Sequence, residues 1–138
     1  MTSPRYMLDT NICSYMVKGH PSGPRQKLYE VGLQHVAIST IVRAELLAWL
    51  QGMEERSRIV PGVRDFLSAI SGIEFDAEAA DRFAGIWHET RRRGKWLEDM
   101  GPLIAAHAIS IAAILVTNTI RHFERLMPTL SIENWVVR

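Results

Sequence analysis

The sequence predicts an α/β fold, with a central, mostly parallel sheet of four to five strands flanked by helices. Three observations point there. Short β-like apolar runs alternate with helical stretches, the pattern of strand–helix–strand units. Residues suited to helix caps stand directly after several of those runs. The 138 residues, 47% of them hydrophobic and 22% charged, match one globular core and show no internal repeat or low-complexity linker.

The elements follow in order. Arg5–Leu8 is the first strand, followed by helices from about Thr10 and from about Pro24, where proline suits a first turn. His35–Ile38 is the second strand. Ser39 then caps a helix carrying Ile41, Val42, Ala44, Leu46 and Leu47. A helical region over Met53–Ile70 is expected to kink or break near Pro61, and Gly72–Phe75 reads as an edge-like third strand. Asp76 caps a helix with Ala79, Ala80, Phe83, Ile86 and Trp87 at helical spacing, closed by Arg91, Arg92, Arg93 and Gly94. An apolar helix begins near Pro102, Ala113–Thr117 is the fourth strand, and Leu130–Val136 is the last extended piece.

Composition narrows the function. The single Cys13 excludes an internal disulfide framework and a cysteine-rich zinc site. Sixteen basic and fifteen acidic residues give a net charge of +1, so contact with nucleic acid must use a local patch. The uncharged stretch from Met100 to Ile120 is interrupted by His107 and Ser110, and its apolar heart is too short to span a bilayer. No signal-peptide core opens the sequence, and the expected location is the cytoplasm, away from membranes.

Three polar residues stand where apolar strands end: Asp9, Ser39 and Asn118. In open α/β sheets ligands bind beyond the carboxyl ends of the strands, so parallel pairing would line all three along one crevice. Glu45 lies six residues after Ser39, under two helical turns on, and can lean over the same edge. Converging carboxylates repel one another and lose hydration unless a cation sits between them. Their hard oxygens suit magnesium or manganese, and such ions engage phosphate oxygens, which points to phosphodiester hydrolysis by activated water. Each residue alone has a plainer reading, Asp9 as a helix cap and Glu45 as a solvated helix residue.

Met7–Ile12 (MLDTNI), Arg43–Leu46 (RAEL), Leu103–Ala108 (LIAAHA) and Leu115–Arg125, with LVTN followed by RHFER, resemble the PIN-domain family in order and spacing. They are especially similar to VapC-type toxins of bacterial toxin–antitoxin pairs, and the likeness continues to Ile132–Trp135. The resemblance implies a single PIN-like domain over residues 1–138 and a Mg²⁺-dependent endoribonuclease, with Mn²⁺ as an alternative ion. It implies cleavage of tRNA or other structured RNA, a homodimer, and a small cognate antitoxin whose tail enters the active groove. Carried over by position, Asp9 matches the first metal-binding aspartate, Glu45 the helical glutamate and Asn118 the polar residue after the fourth strand. His122 stands where many relatives have an acid.

The chain departs from the family at Gly101, where relatives place a third acid. Asp99 is the candidate replacement, with Glu98 beside it, so the implied metal set is Asp9, Glu45 and Asp99. A second reading follows from the glycine: a catalytically attenuated PIN-like module that mainly binds antitoxin or RNA. A phosphatase-like hydrolase also fits the acids but has no phospho-acceptor in its support. Arg91, Arg92, Arg93 and Lys95 could bind RNA phosphates or simply complement the helix dipole. His107 reads as a core residue, Trp49, Trp87 and Trp96 as core or interface, and Cys13 has no paired base to make it a nucleophile.

Overall fold

The computed structural model describes residues 4–54, 57–92, 100–126 and 129–136. Five parallel strands form one sheet in the order β3-β2-β1-β4-β5. They are β1 (Tyr6–Leu8), β2 (Val36–Ser39), β3 (Ser71–Ile73), β4 (Ile114–Val116) and β5 (Ser131–Glu133). The chain moves outward on one side from β1 to β3, then returns to place β4 on the other side of β1. That reversal is the switch point at which such sheets bind ligands.

The helices are α1 (Thr10–Lys18), α2 (Gly23–Val31), α3 (Thr40–Gln51), α4 (Ile59–Ala69), α5 (Ala77–Arg92), α6 (Gly101–Ser110) and the short α7 (Ile120–Phe123). Their starts are local chemistry. Ser39 Oγ accepts from the Ile41 amide at 3.1 Å, and Asp76 Oδ1 accepts from the Ala79 amide at 3.0 Å. Helix α1 ends at Gly19, whose left-handed φ of 75° lets its amide reach Tyr15 O at 2.7 Å.

Met7, Leu8, Ile38, Leu115 and Val116 are buried, as strands covered on both faces require. Ile12, Val42, Leu46, Ile104 and Ala108 pack onto them from the helices. Trp135 closes the far side against Tyr6, with ring centroids 5.2 Å apart at 65°. His107 is buried too, and Ser39 Oγ lies 2.8 Å from its Nδ1. That bond ties α6 to the end of β2.

The structure corrects several boundaries. Helix α4 begins at Ile59 rather than Met53, so Pro61 sits in its first turn, where its missing amide hydrogen breaks no helical bond. The third strand is Ser71–Ile73 rather than Gly72–Phe75, because the Phe75 amide bonds Thr40 Oγ1 at 3.1 Å instead of a strand. β4 and β5 are shorter than expected, and α7 falls where no helix was expected. No helix among the described residues is long and apolar enough to cross a membrane.

Candidate active site

Asp9 is the residue immediately beyond β1. Its amide donates to Val116 O at 3.0 Å, fixing it against the end of β4. Its extended backbone makes it the cap of α1, and Oδ1 accepts from the Ile12 amide at 2.9 Å. Glu45 reaches the same place from α3, and its Oε1 accepts the Thr10 hydroxyl at 2.7 Å. Both carboxylates line a cavity of about 230 Å³ with Thr10, Asn11, Met100, Gly101, Ile104, Thr119, His122 and Phe123. The opening lies over the carboxyl ends of β1 and β4.

Asp9 is only 7% exposed. Burial pushes its carboxyl above the usual carboxylate range, and the charge of Glu45 acts in the same direction. Hydrogen bonds from Thr117 and from the amides of Ile12 and Asn11 oppose that rise. Among the described residues, neither carboxylate has an ion-pair partner.

A group whose folded pKa lies above its unfolded value binds more protons when folded. Ionised Asp9 therefore costs stability, and the metal-free chain should lose stability as pH rises from the ordinary aspartate range through the raised folded value. Asp9→Asn keeps the cap and removes the charge, so it should flatten this part of the profile and melt higher at neutral pH. Thermal melts of both proteins across pH, in chelator, check this. Equal profiles would show that Asp9 is not under electrostatic strain.

The fit to a divalent ion is chemical. Two hard carboxylates, one of them buried and neither ion-paired among the described residues, suit an ion that takes few protein ligands and keeps several waters. Among the described residues, no group of three His, Cys, Asp or Glu is arranged to hold a metal. Gly101 opens α6 on the cavity wall and brings no side chain to it.

The remaining expectations divide. Asn118 is not brought to the cavity: it is exposed, and its Oδ1 accepts from Asn134 Nδ2 at 3.0 Å. The turn explains this. Thr117 Oγ1 accepts the Thr119 amide at 3.1 Å, which turns Asn118 outward while Thr117 bonds Asp9 and Thr119 lines the cavity. Arg91 and Arg92 end α5, whereas Arg93, Lys95, Glu98 and Asp99 lie outside the described residues. His122 lines the cavity. Sequence reasoning missed Thr10, Thr117 and Thr119. The first stands inside the LDTN motif, and the other two flank Asn118.

Two other features carry no acid chemistry. Cys13 is buried, and burial together with the neighbouring Asp9 pushes its thiol well above the usual range, which leaves it unreactive. A larger groove of about 770 Å³ between α3 and α4, lined by Arg43, Leu47, Leu50, Arg64 and Leu67 among others, holds no carboxylate among the described residues.

Sheet order and cavity together define an α/β protein with a paired-carboxylate site at the switch point of a parallel sheet. The PIN-domain profile matches residues 6–126. Ribonuclease VapC2 of Rickettsia felis is 36% identical over 131 residues, covering 94% of this chain and 97% of that protein. The tRNA(fMet)-specific endonuclease VapC of Shigella flexneri is 32% identical over 131 residues, covering 95% and 98%. The solved structure of DNA-bound VapBC from Salmonella typhimurium superimposes with a TM-score of 0.85 at 31% identity, covering 96% of this chain and 98% of that one.

The chain belongs to the PIN-domain family, among its VapC ribonucleases. It is thus a nuclease by descent, an endoribonuclease toxin in type. PIN-domain ribonucleases as a family generally depend on a divalent metal.

Proposed function

We propose that this chain, acting as one PIN-like unit over residues 1–138, is a Mg²⁺-dependent ribonuclease of a toxin–antitoxin pair, with Mn²⁺ able to replace Mg²⁺. The observation that carries the reading is the pair Asp9 and Glu45 on one cavity at the sheet's switch point, with no basic partner among the described residues. Asp9 and Glu45 would hold the ion, and Asp99 is the candidate third acid in place of Gly101, to be decided by comparing Asp99→Asn with Gly101→Asp. When bound, the ion supplies charge stabilisation at the scissile phosphate and an activated water. The Thr117 hydroxyl and the Ile12 amide orient Asp9. Asn118, in the same loop, is turned away from the cavity and bonded by Asn134, so it would serve the site only by bracing that loop. Arg91, Arg92, Arg93 and Lys95, a basic run in the sequence, would bind RNA phosphates.

The substrate is tRNA, by similarity to the Shigella relative named for tRNA(fMet). The likeness to VapC toxins further implies a cytoplasmic homodimer restrained by a small antitoxin, and the Salmonella relative was solved as a VapBC complex. Incubation with a tRNA pool should yield discrete fragments with Mg²⁺ or Mn²⁺ and none with chelator. Cleavage that survives chelation would overturn the metal-dependent reading.

An antitoxin tail of basic or aromatic character suits the acidic cavity, and its association rate should fall with added salt. Co-expression with the neighbouring gene should give a complex that survives purification at moderate salt. Failure to recover any small partner contradicts the toxin assignment.

A further inference from the structure

On the reading of Asp9 and Glu45 as ligands of a divalent ion, we propose that Thr10 is a positioning residue, whose hydroxyl holds the Glu45 carboxylate in the metal-binding cavity. The bond is direct, from Thr10 Oγ1 to Glu45 Oε1 at 2.7 Å, and it joins residues 35 apart in sequence. It is a hydroxyl donating to a carboxylate, the stronger, charge-assisted kind.

Glu45 needs such a restraint. It is half-buried on α3, its side chain has several rotatable bonds, and the charge of Asp9 across the cavity repels it. Nothing in helix geometry would stop the carboxylate from swinging into solvent. Thr10 is well placed to prevent this, because it is the first residue of α1 and its backbone is anchored by the Asp9 cap next to it. A β-branched side chain there has few rotamers, so the hydroxyl is aimed with little loss of freedom. The first turn of α1 therefore holds both carboxylates, Asp9 through the Ile12 amide and Glu45 through the Thr10 hydroxyl. The motif LDTN thus contributes its threonine as well as its aspartate to the site.

The test is Mn²⁺ titration by calorimetry on the intact chain, Thr10→Val, Thr10→Ser, Glu45→Gln and the double variant Thr10→Val with Glu45→Gln, with a thermal melt of each. Thr10→Val matches the size of threonine and removes the donor, so Mn²⁺ binding should weaken by about 10- to 100-fold, while Thr10→Ser should stay within about threefold of the intact chain. In the Glu45→Gln background, Thr10→Val should have little further effect, since the two residues act as one unit. Unchanged affinity in a folded Thr10→Val overturns the proposal. So does an equal loss with and without the Glu45 carboxylate. Should Thr10→Val melt early, Thr10→Ala serves in its place, with the same expected loss and the same contradicting result. Absence of Mn²⁺ binding by the intact chain would instead defeat the underlying metal-site reading, whatever Thr10 does.

Discussion

Gly101→Asp is expected to raise RNA cleavage by about 10- to 1,000-fold, because it adds a carboxylate where charge must be stabilised around a bound ion. The position is right for it: Gly101 is the first residue of α6 and lines the cavity that holds Asp9 and Glu45. An acid at a helix start is favourable to the helix dipole, so the substitution should leave the fold intact. Asp99, two residues earlier in the sequence, is the other candidate for the third acid. With no side chain at Gly101, the chain as it stands should cleave a tRNA pool slowly. Cleavage rates of the chain, Gly101→Asp and Asp99→Asn with Mg²⁺ or Mn²⁺ separate the cases. Full activity that disappears with Asp99→Asn would make Asp99 the third ligand and Gly101→Asp superfluous. Inactivity of both the chain and Gly101→Asp would favour the attenuated, binding-only module.

Asp9→Asn should produce the largest loss. The substitution preserves size, and asparagine caps a helix as well as aspartate does, so α1 should stay in place. What disappears is the buried negative charge that faces Glu45. Divalent-ion affinity should fall at least ~10-fold, about 1.4 kcal/mol. Cleavage should fall further, by roughly 100-fold or more, since an ion that stabilises a reacting phosphate contributes most in the transition state. Calorimetry and single-turnover cleavage on the same preparations measure the two effects. Equal metal affinity in both proteins would remove Asp9 from the site.

Much of the architecture was legible because local chemistry sets it. Asp9, Ser39 and Asp76 read as caps, and each makes the expected side-chain bond to an amide at the start of its helix. The strands around Met7, Ala37 and Leu115 read as apolar runs because a buried parallel sheet tolerates little else. Helix α7 was not legible, since four residues carry no helical period. Asn118 illustrates the limit at the site. Its place after a strand suggested a role at the crevice, but direction after a strand depends on the next turn, and Thr117 sets that turn. The Thr10–Glu45 bond spans 35 residues, a distance over which no periodicity operates. Gly101 was the opposite case. Its missing side chain was visible in the sequence, and its place on the cavity wall required the fold.

The central claim is that Asp9 and Glu45 together bind a divalent ion in the cavity over the ends of β1 and β4. Its most direct test is a crystal grown or soaked with Mn²⁺ and measured for anomalous scattering. The account predicts an anomalous peak inside that cavity, with carboxylate oxygens of Asp9 and Glu45 both at roughly 2.1 Å from it. A Mn²⁺-saturated crystal with no peak there, or with the ion bound by other residues, would contradict it.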